Sequence, residues 1–244
     1  MERRLAWPLS VVTFVLAGSA PFVAACAASA QEPAASPAPP SPAATTQAPG
    51  RIFGVLPNYG TVERNTAAPD TGVRPVTTKD SFRMAALNSF DPYVFPFVGF
   101  VAGLAHLQDQ EPSLGQGSGG YSKRYATALA DNSVGNFMTT AVFPSALRQD
   151  PRYFALGEGG FLHRLAYAAS RSVVTRSRGG ARQFNLSEIG GNGVAAAFSN
   201  LYYPADSRTV SGTLTRWGAQ VMWDTLSNEL KEFWPDVRRK LRGQ

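Results

Sequence analysis

From Pro92 to Leu107 the chain carries no Asp, Glu, Lys or Arg. Such a run must leave water, either into a protein core or into lipid. It is about 16 residues long, whereas a membrane-spanning helix needs about 20. Pro96 would also free a backbone carbonyl that lipid cannot satisfy. Gly99 and Gly103 form a small-xxx-small strip on which another helix can pack closely. The segment is therefore expected to be a core helix enclosed by other helices, and the Ala-rich segment after Asn185 is a suitable neighbour. A shallow membrane-inserted helix is the alternative.

The flanking sequence supports a helical domain. Residues 51–59 read as a short extended arm punctuated by Pro57 and Gly60, with a loop over 61–76. Thr77 and Asp80 are spaced as a capping box, after which Phe82, Ala85, Ala86 and Phe90 share one helix face. Asp91-Pro92 is a second start signal. After a Gly-rich loop over 108–120, helical spacing runs from Tyr121 to about Leu147, then from Phe161 to Arg176, where Leu162, Leu165, Ala166, Ala169 and Val173 make a stripe. Gly179-Gly180 breaks that helix. Asn185 with Glu188 caps another, which runs to Tyr203. The last extends from about Ser211 to Phe233, with Pro235 expected to end or kink it. No alternating strand is evident beyond residue 60. The expected fold class is mainly α: one domain of five or six helices at 51–237, a short extended N-terminal arm, and a basic tail at 238–244.

The N-terminal part of the chain reads as an export signal. Arg3 and Arg4 precede an uncharged run from Leu5 to Ala25, and Ala28-Ser29-Ala30 offers a cleavage site, so residues 1–30 are expected to be a signal peptide. Within it, Val23-Ala24-Ala25-Cys26 resembles a lipobox, so lipidation at Cys26, the only cysteine in the chain, is the alternative to cleavage after Ala30. Residues 31–50 are almost wholly Pro, Ala, Ser, Thr and Gln and are expected to be a disordered linker. The expected destination is the periplasm or the outer-membrane periphery.

The formal net charge is +6, and 19 of the 23 basic residues are Arg. Arginine favours bidentate contact with phosphate or carboxylate, which suggests anionic lipid or a cell-wall polymer as partner. A GC-rich genome would inflate Arg, Ala, Gly and Pro in the same way. Export argues against nucleic acid. Arg164, Arg171 and Arg178 recur every seven residues, and the first two are expected on a basic helix face opposite the Leu162 stripe. Lys123 and Arg124 follow a Gly-rich loop at a helix start. These five residues are the anion-binding candidates.

Gly115 to Gly120 matches G-x-G-x-x-G, but no strand precedes it and no acid follows at the required distance, so nucleotide binding is not expected. With His106 and His163 as the only histidines, no transition-metal site and no cofactor is expected. Asp131 with Asn132 and Asn136, and Glu188 with Asn192, place polar groups in apolar helices and are expected to form internal hydrogen bonds. An envelope hydrolase using Glu158, Glu188 or Asp131 would require two of these acids to meet in a pocket.

Several strings over 51–237 resemble a family of uncharacterised exported bacterial proteins. They are Arg51-Ile52 with Pro57-Asn58-Tyr59; Gly115-Gln116-Gly117 with Gly120-Tyr121 and Lys123-Arg124-Tyr125; and Gln149-Asp150-Pro151-Arg152-Tyr153-Phe154. Further on are Arg182-Gln183-Phe184-Asn185, Tyr202-Tyr203-Pro204, and Lys231-Glu232-Phe233-Trp234-Pro235. The resemblance implies a one-domain exported chain and carries no activity with it. The expected function is a non-enzymatic structural or binding domain at an anionic lipid or wall surface. The alternatives are the carboxylate hydrolase and a subunit of a membrane-associated complex with a protein partner.

Overall fold

Thr77 opens the first helix as its spacing predicts. Its hydroxyl accepts from the Asp80 N–H at 3.1 Å and the Asp80 carboxylate accepts from the Thr77 N–H at 3.0 Å, completing a capping box. The computed structural model describes residues 51–62, 74–241 and 243. The expected signal peptide with Cys26, the linker at 31–50 and most of the loop after residue 60 lie outside the described residues.

Helix α1 is Thr78–Phe90 and α2 is Val94–Leu107. Helix α3, Gly117–Asn136, begins four residues ahead of the expected Tyr121. It continues without a break into a π-helical turn, Phe137–Val142, and then α4, Phe143–Leu147. In a regular α-helix the Pro144 ring would clash with the Thr140 carbonyl, and the wider turn before it relieves that conflict. Helices α5, α6 and α7 are Phe161–Ser170, Leu186–Ser199 and Val210–Leu241. With the run from α3 to α4 counted as one, six helices among the described residues make a mainly helical fold.

Short strands also appear beyond residue 60, where none is expected. The N-terminal arm folds on itself, β1 (Arg51–Ile52) antiparallel to β2 (Leu56–Pro57). Strand β3 (Thr61–Val62) lies parallel to β5 (Tyr153–Phe154). Strand β4 (Gln149–Asp150) pairs antiparallel with β6 (Val174–Ser177), which pairs antiparallel with β7 (Arg182–Phe184). None exceeds four residues, too short to show alternation. The helix expected through Arg176 stops at Ser170 instead. The β-branched run Val173-Val174-Thr175 favours extended backbone, and the hairpin closes through the Ser177 N–H to the Ala181 carbonyl at 2.8 Å.

Pro235 does not end α7, which continues to Leu241. Arg164 on α5 spans the proline, bonding both Glu232 before it and Asp236 after it. The expected basic tail therefore begins within the helix.

Small residues fill the helix contacts. Helix α2 packs on α3, α1 and α6 pack on the π-helical turn, and α7 packs on α6 and α5. Ala85, Ala141, Ala168, Ala195 and Ala196 are fully buried. A Cβ on Gly191 would come within 3.2 Å of the Met138 backbone and the Thr139 methyl. Helices this close leave little room between them for large side chains. On α1 the buried face is Ser81, Met84, Ala85 and Ser89, while Phe82 and Phe90, which the sequence places on one face with Ala85, are exposed. Leu162, also expected in the core, is 70% exposed, because its helix turns Arg164 and Ala168 inward.

Candidate functional site

Helix α2 is not enclosed. One edge, formed by Val94, Val98 and Ala102, is buried. The Gly99 and Gly103 strip meets Tyr121 and Tyr125 of α3 rather than the Ala-rich helix, with the Tyr121 hydroxyl donating to the Gly99 carbonyl at 3.2 Å. The opposite edge carries Phe97, Phe100, Leu104 and Leu107 into the open, Phe100 at 64% and Leu107 at 83% exposure. Leu87, Phe90, Tyr93 and Phe95, around the α1–α2 bend, are exposed as well. The expectation of burial fails because α3, with Tyr121 and Tyr125, covers one side of α2, and no described element covers the other.

Between Arg83 and Asp109 the only Asp, Glu, Lys or Arg is Asp91, and the bend turns it inward. It is 3% exposed and accepts from the Arg51 guanidinium at 3.0 Å, from the Tyr93 N–H at 3.0 Å and from the Tyr59 hydroxyl. Burial alone would push this carboxyl up, but the bonds from Arg51 and Tyr59 outweigh it and hold Asp91 below the ordinary aspartate range. Arg51 also lies 4.7 Å over the Tyr93 ring. The exposed surface of the bend thus presents aromatic and aliphatic groups, with its one acid neutralised beneath. Among the described residues no single helix is long and apolar enough to cross a membrane; α1 and α2 together, bent by 55°, pass that test by length and composition.

The charges expected on solvated faces lie largely inside. Arg164 donates from Nε to the Glu232 carboxylate at 2.8 Å and from Nη2 to the Glu232 carbonyl at 2.6 Å, and its guanidinium stacks 4.7 Å from the Phe233 ring. The Glu232 side chain, fully buried, also accepts from the Tyr153 hydroxyl at 2.8 Å and from the Leu156 and Gly157 N–H groups, each at 2.9 Å. Arg124 is buried and binds the carbonyls of Gln110, Gly115 and Glu111 together with Asp109, so it fastens the Gly-rich loop to α3. Lys123 remains exposed beside it. Arg178 contacts the Thr78 and Ser145 hydroxyls at 3.4 Å. Arg171 lies 4.6 Å over the Tyr167 ring. The basic face expected from seven-residue spacing is therefore absent, because α5 ends at Ser170 and Arg164 points into the protein.

The candidate acids do not converge on one another. Glu158 is exposed. Asp131 accepts from the Tyr202 and Tyr203 hydroxyls at 2.6 and 2.7 Å, the internal bonding expected of it. Glu188 meets Asp224 instead. Asn192 donates to Glu188 at 3.2 Å and to Asp224 at 2.8 Å. Burial and the neighbouring Asp224 push the Glu188 carboxyl well above the ordinary glutamate range, while burial lowers the Lys231 ammonium. Asp224 and Asp236 are not singled out by sequence reasoning, and Lys231 and Glu232 enter it only within a string that carries the family resemblance. The available signal is that Glu232 and Asp236, four residues apart, share one side of a helix.

No protein-family model, curated protein or solved structure matches this chain. The strings that carry the family resemblance recur in these contacts. Arg51 and Tyr59 bind Asp91, Gly115 accepts from Arg124, Tyr202 and Tyr203 bind Asp131, and Tyr153 binds Glu232. They fix helix positions and leave the α1–α2 surface open.

Proposed function

We propose that this chain is a non-enzymatic envelope protein that seats its α1–α2 bend in one leaflet of a membrane. The observation that carries the reading is the outward apolar edge of α2, from Phe97 to Leu107, above an Asp91 already neutralised by Arg51 and Tyr59. An exposed aromatic and aliphatic surface of this kind is costly in water and favourable at the lipid interface. Small residues at helix contacts with large apolar groups outside are the pattern of helices packed in an apolar medium. The expected export signal at 1–30 would deliver the chain to an envelope membrane. Lipid contact through Arg164 or Arg124 is not part of this proposal, since both guanidiniums have internal partners.

The test is backbone hydrogen exchange of the full chain with and without phosphatidylcholine vesicles. Exchange over residues 92–107 should slow on vesicle addition, at both low and high salt, because the contact is apolar. Unchanged exchange in that segment overturns the proposal, and it does so whatever the N-terminal segment contributes to overall binding. Protection that depends on protein concentration and not on vesicles favours a protein partner on the same surface.

A further inference from the structure

Helix α6 is fastened to α7 through one buried amide. Asn192 of α6, 1% exposed, donates from its amide nitrogen to Glu188 of the same helix at 3.2 Å and to Asp224 of α7 at 2.8 Å. That nitrogen carries two hydrogens, one for each carboxyl, so it holds the two acids side by side. Glu188 is in turn hydrogen bonded to Asp224. Both acids cannot ionise at this range without repelling one another across the helix contact. Lys231, two turns beyond Asp224 on α7, is the cation that acts on the pair. With one proton held between the acids and the ammonium charged, the three groups sum to zero. Once that proton leaves, two carboxylates face one ammonium. Of the other elements packed against α6, the π-helical turn and α4 carry no titratable side chain. On α3, Asp131 is held by Tyr202 and Tyr203. On α7, Arg216 is held by Ser199 and Asn200, Glu232 is held by Arg164, and burial alone acts on Glu229. Glu188, Asp224 and Lys231 each keep partial exposure, so a proton can reach the pair without unfolding of the helices.

We propose that Glu188 and Asp224 form a proton-operated latch, which holds α6 on α7 while the shared proton is in place and releases it when that proton leaves. Burial and the neighbouring Asp224 favour the protonated form of Glu188, so the latch is closed at low pH and opens as pH rises through the raised folded value. Release breaks the contact at the Trp217 indole, whose N–H donates to the Ile189 carbonyl at 2.9 Å beside Glu188. The latch uses none of the residues of the α1–α2 surface, so either proposal can fail alone.

Backbone hydrogen exchange of the full chain at pH 5 and pH 9, corrected for the intrinsic pH dependence of amide exchange, compares α6 with α5. Between the two conditions Leu186–Ser199 should lose at least about tenfold more protection than Phe161–Ser170, the change that one pKa unit brings. In Glu188→Gln, which has no such proton to lose, the ratio between the two helices should stay constant. If Glu188→Gln does not fold, Asp224→Asn, which removes the repulsion from the other side, carries the same expectation. A ratio that does not change with pH, as when the whole fold opens at once, overturns the latch. So does a ratio that changes equally in the variant and the parent.

Discussion

Arg164 and Glu232, 68 residues apart in sequence, form a buried ion pair in which the guanidinium Nε lies 2.8 Å from the carboxylate. Tyr153 and two backbone N–H groups complete the coordination of the carboxylate, and Asp236 takes the other side of the guanidinium. The pair thereby ties α5, the β5 segment and the C-terminal half of α7 to one point. Burial opposes the Arg164 charge, but the bonds to Glu232 and Asp236 hold its pKa above the ordinary arginine value.

Removing one partner of a buried pair leaves the other charge uncompensated. Glu232→Ala is expected to cost about 3–5 kcal/mol, seen as a lowered denaturation midpoint. Replacing both partners, with Arg164→Met and Glu232→Leu, should cost less than the sum of the single changes. A double-mutant cycle that proves additive would show that the two residues stabilise the fold independently.

Stability should fall with pH through Glu188. Its folded pKa lies above the unfolded value of 4.5, so the neutral carboxyl contributes fully below that value. The contribution is lost as pH rises through the raised folded pKa. Lys231 works in the opposite sense, since burial lowers its pKa and stability therefore grows as pH rises towards 10.5. Glu188→Gln removes the first effect and also the Glu188 charge that supports the Lys231 ammonium, and both changes make its stability relative to the parent increase with pH. Denaturation midpoints taken at pH 5 and pH 9 check this, and a constant difference between the two proteins counts against it.

The apolar edge of α2 can be tested without disturbing the fold. Phe100→Asp and Leu107→Asp alter exposed side chains and should leave the thermal midpoint almost unchanged. Vesicle protection of residues 92–107 should be lost in the double variant. Equal protection in the variant and the parent would place the contact elsewhere.

Gly191 marks the close approach of α6 to the π-helical turn. A methyl group there meets the Met138 backbone at 3.2 Å, and a main chain yields less readily than a side-chain tip. Gly191→Ala is expected to destabilise the protein by about 1–3 kcal/mol, despite the higher helix propensity of alanine. Gly218→Ala, where nothing lies within 4 Å of the added carbon, serves as the comparison and should be neutral or stabilising.

The sequence alone was sufficient for the helical class and for the two side-chain-capped helix starts, because caps are local. Thr77 with Asp80, and Asn185 with the Glu188 N–H, act over three residues and form as their spacing predicts. Local spacing also showed that Asp131, Glu188 and Asn192 need internal partners, though not which partners. Only the tertiary structure decided which faces are buried. Helical periodicity places residues on common faces, but alanine and glycine admit close neighbours while the larger side chains point away. As a result Phe82, Phe100 and Leu162 lie outside and Arg164 lies inside. The short strands and the Arg164–Glu232 pair arise from chain segments brought together by packing. No period in the sequence encodes them, because their partners are set by helix crossings rather than by distance along the chain.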